Sequence, residues 1–197
     1  LPPIAQVEGG GIKRGLTAPE AGVILELPLN KILLLVIFGM LEKGLIRQTK
    51  EDPLTVEVVE AFRARDKAGL ENKKDRMNYR SRVAQQKGTV IHKYEHAFLD
   101  LFELDPETPI KSLKIVGPMQ QLANQAAAKM KGFDLSDTQD YYRRVMERAM
   151  EQANALGDIE QREAYLDQYL PWVMMNRSYR PVLMVGGYNY WPRWARQ

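Results

Sequence analysis

The chain holds two histidines, His92 and His96, and no cysteine. Four residues apart on a helix, they would share one face, which is the spacing of two ligands in a metal half-site. Glu95 stands between them, but the order is not His-Glu-x-x-His. With no third histidine and no thiolate, an Asp or Glu would have to complete the shell. We read both as exposed or core-edge histidines and expect no metal site. The lack of cysteine also excludes disulfides and cysteine nucleophiles. There is no Gly-x-Ser-x-Gly, no Gly-x-x-x-x-Gly-Lys phosphate loop and no Gly-x-Gly-x-x-Gly. Gly9-Gly10-Gly11 follows no strand pattern and reads as linker. Carboxylates scatter along charged segments. The expectation is a non-enzymatic chain with no catalytic residue and no cofactor.

The other chemistry on offer is cationic. Net charge is +3 over 197 residues, an excess that permits nucleic acid or an acidic surface as partner without demanding either. The candidates for phosphate contact are Lys31, Arg47, Lys50, Lys73, Lys74, Arg76, Arg80 and Arg82. Most fall in residues 63 to 87, where Tyr79 is interleaved. A run of this kind is more often a solvated face or a linker.

The elements that would carry these residues follow from caps and periodicity. Residues 1 to 15, with Pro2-Pro3 and the triple glycine, read as a linker or arm. Thr17, Pro19 and Glu20 open a short helix carrying Val23, Ile24 and Leu27, and Pro28 ends it. Asn30 caps a second helix that Gly44 stops. Leu45 to Thr49 and Leu54 to Val59 are rich in β-formers, and a Lys-Glu-Asp-Pro turn joins them into a hairpin. Helix, turn, helix and hairpin is the order of a winged helix, so residues 16 to 62 are read as one winged-helix-like unit. Residues 63 to 88 are read as a charged connector, an exposed helix or mobile segment with a break near Gly69. A helical unit with an aromatic tail fills residues 89 to 197. Ile91, Tyr94, Phe98, Leu101 and Phe102 share a helical face there. Further helices follow over residues 118 to 131, from a Ser136/Gln139 capping box to Gly157, and from Asp158 to about Leu170, interrupted by Pro171. The stripe of the second of these is Tyr142, Val145, Met146, Ala149, Met150 and Ala153. Val182 to Val185 could form a short strand. Tyr188, Tyr190, Trp191 and Trp194, with Arg193 and Arg196, either cap the core or make a contact patch, and capping is favoured. The expected fold is mainly α.

The stretch from Lys31 to Lys43 is the most apolar. Its unbroken run, Ile32 to Leu41, is ten residues, about half of what a ~30 Å hydrocarbon core requires. It is therefore not a membrane span. A recognition helix would sit at this position, but one face carries Leu33, Val36, Ile37, Met40 and Leu41, and the other carries Lys31, Leu34, Leu35, Phe38 and Glu42. Base edges and phosphates give the second face little to bind. Leu34, Leu35 and Phe38 become candidate protein contacts, and nucleic acid is the disfavoured alternative, held through the wing and the basic run.

Several segments together have a familiar order: LTAPEAGVIL, then LLLVIFGMLEKGLIR, then YEHAFLDLF with IKSL, then YLDQYLPWVM. They resemble the cytosolic part of the YciQ-like family of predicted membrane proteins of unknown function, in patches from Leu16 to Met174. Members usually carry membrane spans within or beside this region, and here there are none. After Leu170-Pro171-Trp172 the small apolar continuation is replaced by Met174-Met175-Asn176-Arg177. The family brings no activity and no functional residues. The chain starts at Leu1 without methionine, which suggests a fragment. The resemblance implies a cytoplasmic module tethered to the inner face of a membrane through absent parts of its parent. Its partner would be another protein or a second copy.

Overall fold

Thr17 begins the ordered helices by a reciprocal cap. Its side chain accepts from Glu20 N, and Glu20 returns a bond to Thr17 N. In this computed structural model, residues 10–156, 159–175, 184–185 and 188–189 are described. The chain is mainly helical, with seven α-helices among the described residues. They are α1 (Ala18–Ile24), α2 (Leu29–Glu42), α3 (Lys73–Gln86), α4 (Lys93–Leu104), α5 (Val116–Met130), α6 (Leu135–Ala155) and α7 (Ile159–Met174). Strands β1 (Ile46–Lys50) and β2 (Thr55–Val58) form an antiparallel hairpin directly after α2. The helix-helix-hairpin order of a winged helix is therefore present. Strands β3 (Met184–Val185) and β4 (Tyr188–Asn189) make a second, shorter hairpin. Tyr190, Trp191, Trp194 and the arginines near them lie outside the described residues. No described helix is long and apolar enough to cross a membrane.

The described residues divide into two compact units: residues up to Ile37 with those from Leu122 on, and Phe38–Gln121. The division falls inside α2 and inside α5.

In the first unit the expected linker is a strap over residues 10 to 16. Gly11 O accepts from Asp134 N at 2.9 Å. Lys13 N donates to Thr138 Oγ1 at 3.0 Å, and Leu16 N donates to the Tyr142 hydroxyl at 2.9 Å. Thr138 and Tyr142 are buried on α6, so these bonds satisfy polar groups that would otherwise be stranded. Glu20 is buried and pairs with Lys129 of α5 at 2.7 Å. Gln139 does not complete a capping box with Ser136, because Asp134 is the N-cap of α6. Its amide reaches Ile24 O at the end of α1 instead. α7 continues through Pro171, where an interruption was expected. Leu166, Leu170, Val173 and Met174 are all buried, and that packing offsets the lost backbone donor. Trp172 lies parallel to Tyr142, ring centroids 5.8 Å apart.

In the second unit α2 ends as its sequence suggests. Gly44 takes φ 71°, and Leu45 N bonds back to Met40 O. β2 packs against α4, and Ile110 N donates to Leu54 O at 2.9 Å. Tyr94, Phe98, Leu101 and Phe102 of α4 are buried, as is Ile91 before it. Residues 63 to 88 take the form of a helix preceded by a break near Gly69: a turn there (φ 82°), then the 14-residue α3.

The candidate protein contacts Leu34, Leu35 and Phe38 on the outer face of α2 are largely covered within the chain. Leu35 is 1% exposed and Phe38 7%, while Leu34 is half-buried. A Cβ at Gly22 of α1 would lie 3.4 Å from Leu35 Cδ1, so Leu35 is covered by α1. A helix apolar on nearly all sides is buried by its own chain. Leu35→Lys is expected to cost more than about 3 kcal/mol, because the core loses a leucine and gains an unpaired ammonium. Chemical denaturation checks this, and unchanged stability would contradict the observed packing.

Candidate functional site

Charged groups converge most densely where α3 meets α4. Arg76 and Arg80 stand one turn apart on the inner face of α3, and Asp100 and Glu103 lie three apart on α4, so each pair shares a face. Arg80 has 0% of its surface exposed. Its Nε donates to Phe62 O at 2.9 Å and its Nη1 to Asp100 Oδ1 at 2.7 Å. Its Nη2 bonds the Glu103 carboxylate. Arg76 meets Asp100 with two nitrogens, at 3.1 and 3.2 Å, and caps the carbonyls of Leu70 and Glu71 with its third. The other Glu103 oxygen accepts from Ala64 N at 2.8 Å and Arg65 N at 3.3 Å. Burial pushes the Asp100 carboxyl up, but the hydrogen bonds from Arg76 and Arg80 outweigh it and hold it below its usual value.

His96 sits beside this cluster, 3% exposed. Its Nε2 is 3.4 Å from Ser81 Oγ, and its Nδ1 has no partner. Burial, then the Arg80 cation, pull its pKa down to about 4; Asp100 opposes them, and Lys43 and Lys73 add to the depression. The ring is therefore neutral at physiological pH. His92 is half-buried at the N-cap of α4, stacked on Tyr94 at 5.6 Å. Glu95, between the histidines, is committed to His92 N and to Lys43. No group of three potential metal ligands occurs among the described residues.

The cationic candidates separate by burial. Arg76 and Arg80 are withdrawn as nucleic-acid contacts, since their guanidiniums are spent on Asp100, Glu103 and backbone carbonyls. Arg47 is exposed but pairs with Glu57 across the hairpin. Lys50, Lys73, Lys74 and Arg82 are exposed, and Lys31 is half-buried in the other unit. The outer face of α3 carries Asn78, Ser81, Arg82 and Gln85 along an open furrow of about 580 Å³, with Asp75 beside them. A groove of about 480 Å³ runs beside β2, and its charges are mixed: Lys50, Arg63 and Arg65 against Glu57, Asp66, Glu103 and Glu107. A smaller groove of about 270 Å³ lies between α4 and α5. Next to it Leu104 is 58% exposed and Val116 80%. Sequence reasoning missed both residues. Leu104 ends an apolar stripe and Val116 opens a helix, and periodicity alone assigns such residues to the core.

No family model matches the chain, no curated protein matches it, and no solved structure matches it. The YciQ-like resemblance stands on the quoted segments alone.

Two predictions follow from the cluster. Glu103→Ala leaves the buried Arg80 guanidinium with Asp100 as its remaining carboxylate and strands the buried Ala64 N–H, and is expected to cost about 3–5 kcal/mol, whereas Arg80→Met with Glu103→Leu, which removes the under-paired cation, is expected to recover part of that. Urea denaturation of both variants tests the pair. The second prediction concerns pH. The folded His96 pKa of about 4 lies below the unfolded value of about 6.5. Between them the unfolded chain binds a proton that the folded chain refuses. Stability should fall as pH drops through this window, by up to about 1.4 kcal/mol per pH unit. Asp100 contributes only below its ordinary pKa of 3.8. His96→Asn should flatten the slope in denaturation at pH 7, 5.5 and 4.5, and parallel slopes for the two proteins would refute the assignment.

Proposed function

We propose that this chain is a non-enzymatic protein-interaction module, the cytoplasmic part of a membrane-anchored parent. The observation that carries the reading is the exposure of Leu104, which lines the α4–α5 groove, and of Val116, which precedes its lining residue Gly117. Large aliphatic side chains gathered beside a groove are costly to leave in water and favour a protein partner. The titratable groups brought together in the same unit are committed to one another and to backbone, which supports a structural use of them. The membrane anchor is supported by the family resemblance.

A photocrosslinking residue introduced in the parent protein at Leu104, Val116, Leu29 or Leu135, one at a time, tests the module in its own cells. All four are exposed. A discrete crosslinked protein band is expected from at least one site, and its absence from every site would remove the reading. A parent gene without an apolar run of about 18 residues would remove the anchor.

A second reading has its own observation. The outer face of α3 presents Lys74, Asn78, Arg82 and Gln85, side-chain types that meet phosphates and base edges. Binding to random duplex DNA over a salt series decides it, since neutralised phosphates release cations and affinity then falls steeply with salt. No binding at low salt sinks this second reading.

A further inference from the structure

We infer that the α4–α5 groove takes a short acidic, apolar peptide, seating one large apolar side chain in the groove and turning carboxylates toward Arg65 and Lys73. This deepens the interaction-module reading and rests on it. The floor is apolar: Ala97, Leu101 and Leu104 on α4, and Pro118 on α5. At about 270 Å³ the space falls below the roughly 300–1,000 Å³ of small-molecule pockets, so it suits a side chain better than a cofactor. Gly117 leaves the wall open, because a Cβ there would meet nothing within 4 Å.

The rim identifies the charge of the occupant. Arg65 and Lys73 line the groove and are exposed. Neither forms an ion pair among the described residues. The one carboxylate at the rim, Asp100, is bonded to Arg76 and Arg80. The groove thus presents two cations without a counter-ion and an acid whose charge is already answered. An anionic segment complements it, and a cationic one is repelled. Exposed ion pairs each contribute little. The apolar anchor therefore supplies most of the affinity, and the cations supply selectivity.

The test uses the full chain and three fluorescein-labelled peptides sharing a Leu-Phe core, flanked by Asp, by Gln or by Lys, read by fluorescence anisotropy. The Asp-flanked peptide is expected to bind best, about threefold to tenfold tighter than the Gln-flanked one, with the Lys-flanked one weakest. The preference should collapse at high salt. Leu104→Glu and Gly117→Glu should abolish binding, and the second has open space for its side chain, so loss there is not loss of fold. Arg65→Gln with Lys73→Gln should erase the preference while keeping residual binding. Equal binding of all three peptides, binding of none, or full binding by Gly117→Glu would overturn the inference. So would a concentration-dependent dimer in sedimentation that Leu104→Glu abolishes, since the groove would then belong to a second copy. Crosslinks surviving at Leu29 or Leu135 alone would discard the groove and keep the module.

Discussion

A guanidinium with no exposed surface must find its counter-charges inside the protein. Arg80 finds two carboxylates on α4 and a backbone carbonyl at Phe62, all outside its own helix. Taking such a charge out of water costs several kcal/mol, which only complete pairing offsets. Asp100 and Glu103 must therefore be correctly set on α4, and the loop at Phe62 must turn its carbonyl inward. Glu103 extends the constraint by accepting from the backbone of Ala64 and Arg65. Arg76 extends it again to the carbonyls of Leu70 and Glu71. A stretch of roughly ten residues with few large aliphatics is held by directed polar bonds, where a larger apolar segment would be held by area.

This constraint also decides what is left for a partner. Two of the basic residues between 63 and 87 are consumed inside, together with the acids that would otherwise have balanced the surface. Asp100 lies at the rim of the α4–α5 groove, yet its charge is spent on α3. The groove's exposed cations, Arg65 and Lys73, keep theirs. Pairing in the interior thus leaves a modest positive character at an apolar surface without any large net charge on the chain.

The legible parts of the fold are those with local causes. Thr17 and Glu20 cap α1 because the donor and acceptor are three residues apart. Gly44 stops α2 because it can take φ 71° without a Cβ clash. The α4 stripe from Tyr94 to Phe102 is apolar at helical spacing and is buried. What was not legible depends on distant partners. Arg76 and Arg80 read as solvated, because nothing beside them in sequence reveals Asp100 and Glu103, 20 or more residues on. Their i,i+4 and i,i+3 spacings were the available signal. Gln139 looked like half of a local capping box, but it bonds to a carbonyl 115 positions away. The cover of the outer face of α2 is likewise not local: no sequence pattern shows that α1 covers Leu35.

The helix order of a winged helix draws attention to α2 as the reader of a nucleic acid, yet side-chain chemistry points to α3. α2 buries Leu35, Val36, Ile37 and Met40 almost completely. α3 is anchored by two arginines and so keeps its entire outer face polar. The available cations there number about three, Lys73, Lys74 and Arg82, with Asp75 opposing them. Neutralising Z phosphates gives a salt slope near −0.9Z, so this face would bind a duplex with a slope of only about −2 to −3. Such contacts supply weak, sequence-tolerant affinity and little discrimination. An apolar anchor with two flanking cations can instead discriminate through shape, charge sign and the displacement of water. On these magnitudes the groove between α4 and α5 is the better-built recognition surface of the two.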